Sequence, residues 1–264
     1  MLPRPERTQE RADRQCEDSA RHRSGTGFSR SVGYIEPVRR PAAFFDLDRT
    51  FIASSSSLAL ARPFHERGLI GRRQLLTAQL AQAVLAHVGA PRGRGGQATD
   101  SAIAILKGRP AELLREIVSD AWPTVLKHLV YREAVDLAAA HAADGRSVFV
   151  VSAALQEIGD CVARELGLDG ALGSRAETRD GRFTGRIERR LLGQGKADAV
   201  VELAESEQLD LSASVAYSDS HTDLPFLEAV GNAVAVNPDR RLGQIAADRG
   251  WPVRKFSARA FAAE

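Results

Sequence analysis

From Tyr131 onward, short apolar runs alternate with stretches of helical period, and few folds accommodate that rhythm. Apolar runs at 147–151, 214–217, 233–236 and 252–256 are separated by helical patterns at 132–143, 156–166, 196–207, 224–230 and 240–249. Strands that alternate with helices predict a parallel sheet covered on both faces. One interruption, Arg179-Asp180-Gly181-Arg182 between alternating segments at 175–187, predicts a β-hairpin. An earlier run, Ala42-Ala43-Phe44-Phe45, predicts the first strand. Between it and Tyr131 only helical patterns occur, at 58–67, 72–88, 99–106 and 110–129. The expected organisation is an α/β core of residues 41–53 and 131–264, with a helical cap, residues 54–130, inserted after the first strand and standing over the active end of the sheet.

Residues 1–40 carry nine Arg against six acids and few large apolar residues, which predicts a disordered Arg-rich tail. The net charge of the whole chain is +2, so the remainder is close to neutral. A nucleic-acid-binding core would show a basic stripe in its folded part, and none is expected here. The first residues are too charged for an export signal, and no run of about 18 apolar residues predicts a transmembrane helix. Two cysteines, Cys16 and Cys161, supply neither a disulfide framework nor zinc spacing, which fits a reducing, cytoplasmic setting.

Asp46-Leu47-Asp48-Arg49-Thr50 follows the first strand directly. In an open α/β sheet, ligands bind outside the carboxyl ends of the strands. Residues i and i+2 of an extended chain point to one side, and two acids there repel unless a cation or a shared proton stabilises them. Further polar residues fall at matching places: Ser152 after the second strand, Lys196 in a first helical turn, and Asp219 with Asp223 after a later strand. Taken singly, each has an ordinary reading as a turn, a helix cap or a solvated charge. Together they supply what phosphoryl transfer needs. A carboxylate can attack, a second acid can move protons, and a hydroxyl and an ammonium can hold phosphate oxygens. A hard cation held by carboxylates, for which Mg²⁺ is suited, would balance the charge. Gly193-Gln194-Gly195-Lys196-Ala197 falls short of a nucleotide P-loop, because Arg190 stands in place of its first Gly and Ala197 in place of its Ser/Thr.

The motifs FFDLDRT, VFVVSAAL, GQGKADAV and AYSDSHTDLPFL, in that order over residues 42–256, resemble the haloacid dehalogenase superfamily, subfamily IB, in its phosphoserine-phosphatase-like branch. That resemblance implies a Rossmann-like parallel sheet with helices on both faces and an inserted all-helical cap. It implies a Mg²⁺-dependent phosphatase acting on a small-molecule phosphate ester. Asp46 would be the nucleophile that forms an aspartyl phosphate, Asp48 the general acid and then base, and Thr50 a support for their loop. Ser152 and Lys196 would hold the phosphoryl group. Asp46, the Asp48 carbonyl, Asp219 and, through its water shell, Asp223 would hold the metal. The chain departs from that branch at Arg49, where Ser is usual, and at Ser55, where an acid receives the ammonium of phosphoserine. Both departures argue against phosphoserine itself, and a cap rich in Leu and Ala, with Arg62, Arg67, Arg72 and Arg73, leaves room for a lipid-derived phosphate. The other class of function open to such a chain is a regulatory protein that keeps the fold and acts through a binding partner. His221, inside the last acidic motif, is placed to face substrate. The oligomeric state is left open.

Overall fold

The structure, a computed structural model, describes residues 39–88 and 103–261, with residues 81–88 described as helix backbone only. Residues 1–38 of the expected tail therefore lie outside the described residues, as does the first half of the predicted 99–106 helix, whose residues 103–105 are helical.

Seven strands form one sheet in the order β4-β3-β2-β1-β5-β6-β7. They are β1 (Ala42–Asp46), β2 (Ser147–Leu155), β3 (Gly170–Arg179), β4 (Arg182–Arg189), β5 (Val215–Ser218), β6 (Asn232–Val236) and β7 (Val253–Arg254). All neighbours pair in parallel except β3 and β4. Those two form the expected hairpin, whose turn residues Asp180 and Gly181 both take positive φ, 50° and 73°. Such a two-residue turn matches the twist of the strands it joins.

β1 is buried along its whole length. Its side chains alternate between two apolar clusters, one on each face of the sheet. Ala43 and Phe45 join the cluster built with the helices α4 (Ala111–Ala121), α5 (Arg132–Ala143) and α6 (Gln156–Leu166). Ala42 and Phe44 join the cluster built with α7 (Gln194–Ser206), α8 (Leu224–Glu228) and α9 (Arg240–Arg249). Cross-strand aromatic pairs lock this register: Phe44 stacks on Phe149 at 5.7 Å, and Phe45 on Tyr217 at 4.3 Å.

Between β1 and α5 the described residues are helical or irregular, with α1 (Ser56–Ala59), α2 (Ala61–Glu66), α3 (Arg72–Val88) and α4. The helix predicted over 58–67 is thus two short pieces. The one predicted over 110–129 stops at Ala121 and continues as a π turn (Trp122–Leu126) and a 3₁₀ turn (Lys127–Leu129). Pro123 is the physical reason: it has no N–H to give an i−4 carbonyl, and its ring crowds the preceding turn. Leu76 and Leu80, expected on an apolar face of α3, are 58% and 67% exposed.

Register carries the polar residues to one end of the sheet. Asp46 pairs with Val151, so Ser152 stands one step beyond it on β2. Phe45 pairs with Tyr217, which puts Asp219 just past the same level on the other side. Ser152 differs from expectation in lying within its strand rather than after it. β2 runs on to Leu155 through an irregularity in its pairing with β3.

Candidate active site

The segment after β1 folds back at once. Amides of Phe51 and Ile52 donate to the Leu47 carbonyl at 2.9 Å, and Arg49 takes a left-handed φ of 64°. Ile52 and Ala53 are pinned to the far end of the inserted segment by a bridge to Val130 and a hydrogen bond to the Leu129 carbonyl. This loop fixes Asp46 facing the sheet end and Asp48 facing the first inserted helix. The Asp48 Oδ1 accepts from the Ser56 amide at 2.9 Å. Burial raises the Asp48 carboxyl above its ordinary range, against the hydrogen bonds of Ser56 and Ser55 and the charge of Arg49.

Lys196 enters from the first turn of α7. Gly195 lets that turn approach: a Cβ there would lie 2.2 Å from the Arg190 carbonyl oxygen. The Lys196 side chain is 2% exposed, and its Nζ lies 2.5 Å from Asp46 Oδ1 and 2.7 Å from Asp223 Oδ2. The Phe226 ring sits beneath that ammonium, 5.5 Å away. Ser218 Oγ also donates to Asp223 Oδ2, at 2.8 Å. Burial lowers the tendency of Lys196 to hold its proton, but Asp223 and Asp46 outweigh it and push its pKa above the ordinary lysine value.

The carboxylates are less well balanced. Burial lifts Asp46 to about 7 despite Lys196, with Asp223 and Asp48 adding to the rise. Asp219 is raised well above its usual range by burial and then by Asp46, with Arg49 opposing. Its direct ion pair is with Arg49, whose Nε lies 3.2 Å from Asp219 Oδ2. Three carboxylates, Asp46, Asp219 and Asp223, are buried here, and the one buried ammonium, Lys196, pairs with Asp46 and Asp223 only. Among the described residues, no three His, Cys, Asp or Glu side chains converge as a ready-made metal cage. The excess of negative charge over two strand ends nevertheless fits a hard divalent cation, which needs few protein ligands and retains water.

Of the remaining expected residues, Ser152 is 1% exposed and its Oγ accepts from the Ala154 amide at 3.0 Å, leaving its hydroxyl proton free to donate elsewhere. Thr50 is fully buried, and its Oγ1 has no hydrogen-bond partner. Asp223 is directed at Lys196 and Ser218 through one oxygen. His221 does not stand alone: its Nδ1 and its amide meet Asp239 Oδ2 at 2.8 and 2.9 Å. The Asp239 amide in turn donates to the Asp219 carbonyl at 2.8 Å, and its Oδ1 caps α9 at the Leu242 amide. Asp239 thus ties the Asp219–Asp223 turn to the end of β6. The sequence signal for it was an N-cap Asp three residues past a strand and directly before a helical period.

The family model of haloacid dehalogenase-like hydrolases matches residues 43–228. The chain belongs to that family. A protein of Mycobacterium tuberculosis named "Probable phosphatase" is 44% identical over 225 residues, spanning 85% of this chain and 78% of its own length. A phosphoserine phosphatase of the same organism is 38% identical over 217 residues, with 81% and 70% covered. A solved phosphoserine phosphatase carrying a phospho-aspartyl intermediate analogue superposes with a TM-score of 0.57 over 82% of this chain and 93% of its own, at 18% identity. That last likeness is one of fold, the Rossmann-like phosphatase fold expected from the motifs. The chain is accordingly a hydrolase of the family's phosphatase kind.

Proposed function

We propose that this hydrolase is a Mg²⁺-dependent phosphomonoesterase that works through an aspartyl phosphate on Asp46. The observation that carries the reading is the Lys196 ammonium buried between Asp46 and Asp223 at the carboxyl ends of the strands. Asp46, the Asp48 carbonyl and Asp219 would hold the cation, and the second oxygen of Asp223 would hold a water of its shell. When bound, the cation neutralises phosphate oxygens and the excess carboxylate charge.

In the first step, the Asp46 carboxylate attacks phosphorus and the bond to the ester oxygen breaks. Lys196 and the Ser152 hydroxyl hold the phosphoryl oxygens as charge shifts among them. Asp48 gives its proton to the departing alkoxide. In the second step, Asp48 takes a proton from water, and that water attacks phosphorus. Inorganic phosphate leaves and the Asp46 carboxylate is restored. The Ser56 amide on Asp48 Oδ1 leaves Oδ2 to carry the proton. Thr50, buried under the loop, supports its shape. The inserted segment, residues 54–130, serves as a cap, and Ser55 and Ser56 are its contribution to the site.

The substrate in this reading is a small phosphate ester, phosphoserine-like or related. Arg49 and Ser55 favour esters without an ammonium beside the phosphate. A cytoplasmic setting belongs to the same reading, supported by the free, buried Cys161. No described helix is long and apolar enough to cross a membrane.

The test is turnover of a panel of phosphate esters by the purified full chain with Mg²⁺, and its loss on chelation. Failure to hydrolyse any ester overturns the reading. Asp48→Asn separates the steps further. Aryl phosphates, whose leaving groups need no proton, are expected to lose less in the first step than alkyl phosphates, by about 10-fold or more in single-turnover rate. Equal losses for both would remove Asp48 from the role of acid.

A further inference from the structure

Arg49 is a charged residue of the site that the two-step reaction leaves unused. Its backbone is held at φ 64°, a region that residues bearing a Cβ rarely adopt. Its side chain is 45% exposed, while that of its partner Asp219 is 7% exposed. A cation at the solvent boundary thus reaches inward to a buried carboxylate. The Lys196 ammonium does not take that place, because its contacts go to Asp46 and Asp223. Among the described residues, Arg49 is the one direct ion-pair partner of Asp219.

A guanidinium 3.2 Å from Oδ2 and a divalent cation on the same oxygen exclude each other by charge and by space. We propose that Arg49 is a built-in counterion of Asp219 that the divalent cation must displace, a positioning residue that weakens the cation site while keeping the unloaded carboxylate paired. This rests on the phosphatase reading only through Asp219 as a cation ligand.

Calorimetric titration of the full chain with MgCl₂, in wild type and R49S, tests it. Thermal melts of both proteins in chelator and in saturating Mg²⁺ accompany the titration. R49S is expected to bind Mg²⁺ about fivefold more tightly, the scale of a partly exposed ion pair. In chelator R49S should melt below wild type, because Asp219 is left buried and unpaired, and in saturating Mg²⁺ that gap should close. Serine keeps a Cβ, so relief of backbone strain does not enter. R49Q, neutral and closer in shape, carries the same test if R49S does not fold. R49K, which keeps the charge, should bind Mg²⁺ with nearly wild-type affinity. An R49S affinity equal to or weaker than wild type, or a melting gap that persists in Mg²⁺, overturns the proposal. If Mg²⁺ binds neither protein, the metal reading falls and takes this proposal with it; if it binds both equally, only the proposal falls.

Discussion

Asp46→Asn is expected to lower kcat on any phosphate ester by at least about 10³-fold while leaving the protein folded. The two halves of that expectation have separate causes. The amide oxygen is a poor nucleophile, and no neighbouring carboxylate can take its place: Asp48 is tied to Ser56, Asp223 to Lys196 and Ser218, and Asp219 to Arg49. Stability should change little or rise. Asp46 is a buried acid whose charged form burial disfavours, pushing it up to about 7, and Asn removes that charge at nearly constant volume. A thermal melt and a turnover assay on the same preparation check both. A variant that keeps more than about a tenth of wild-type kcat would remove Asp46 from the nucleophile's place.

Lys196→Met is expected to cost stability as well as activity. Methionine matches the length of the lysine stem and can lie on Phe226, so the loss is mainly electrostatic. Removing the ammonium leaves Asp46 and Asp223 buried and facing each other. Breaking one partner out of a buried ion pair costs about 3–5 kcal/mol. Urea denaturation should show a lower midpoint with an unchanged slope. Adding Asp46→Asn and Asp223→Asn to Lys196→Met should recover most of the lost stability while activity stays absent, because the cost lies in the orphaned carboxylates. A triple variant as unstable as the single one would place the cost in packing around the stem instead.

Elements with their own punctuation were readable from sequence. α5, α6 and α9 have the predicted bounds, and Gly167 and Gly250 end two of them in left-handed conformations of 66° and 67°. β1 was readable because four apolar residues between Pro41 and Asp46 leave little choice but a buried strand. The end of β2 was misplaced because a strand can run past its apolar part when polar side chains find partners, as Ser152 does on the Ala154 amide. The irregular stretch after Ala121 depended on one proline inside a helical period. α3 shows the limit of periodicity itself: the pattern predicted the helix correctly but not that Leu76 and Leu80 would remain exposed.

The candidate site was legible as a set of residue types and less so as a set of pairings. The sequence pointed to Asp46, Asp48, Ser152, Lys196, Asp219 and Asp223. It did not reveal that Asp223 would share Lys196 with Asp46, or that Asp239 would hold His221 and the Asp219 carbonyl from the next strand. Those pairings join residues far apart in the chain through strand register, which no local pattern records. Arg49 was visible only as a departure, and its partner became clear once the left-handed turn placed it over Asp219.

The phosphoryl group is expected to pass through Asp46. Rapid quench of Asp48→Asn with an aryl phosphate and Mg²⁺, followed by peptide mass mapping, tests it directly, because the slowed second step should let the intermediate accumulate. The account predicts a phosphoryl adduct on the peptide bearing Asp46, labile to hydroxylamine and absent from Asp46→Asn. Turnover with an unmodified Asp46 peptide throughout, or an adduct on any other residue, would contradict it.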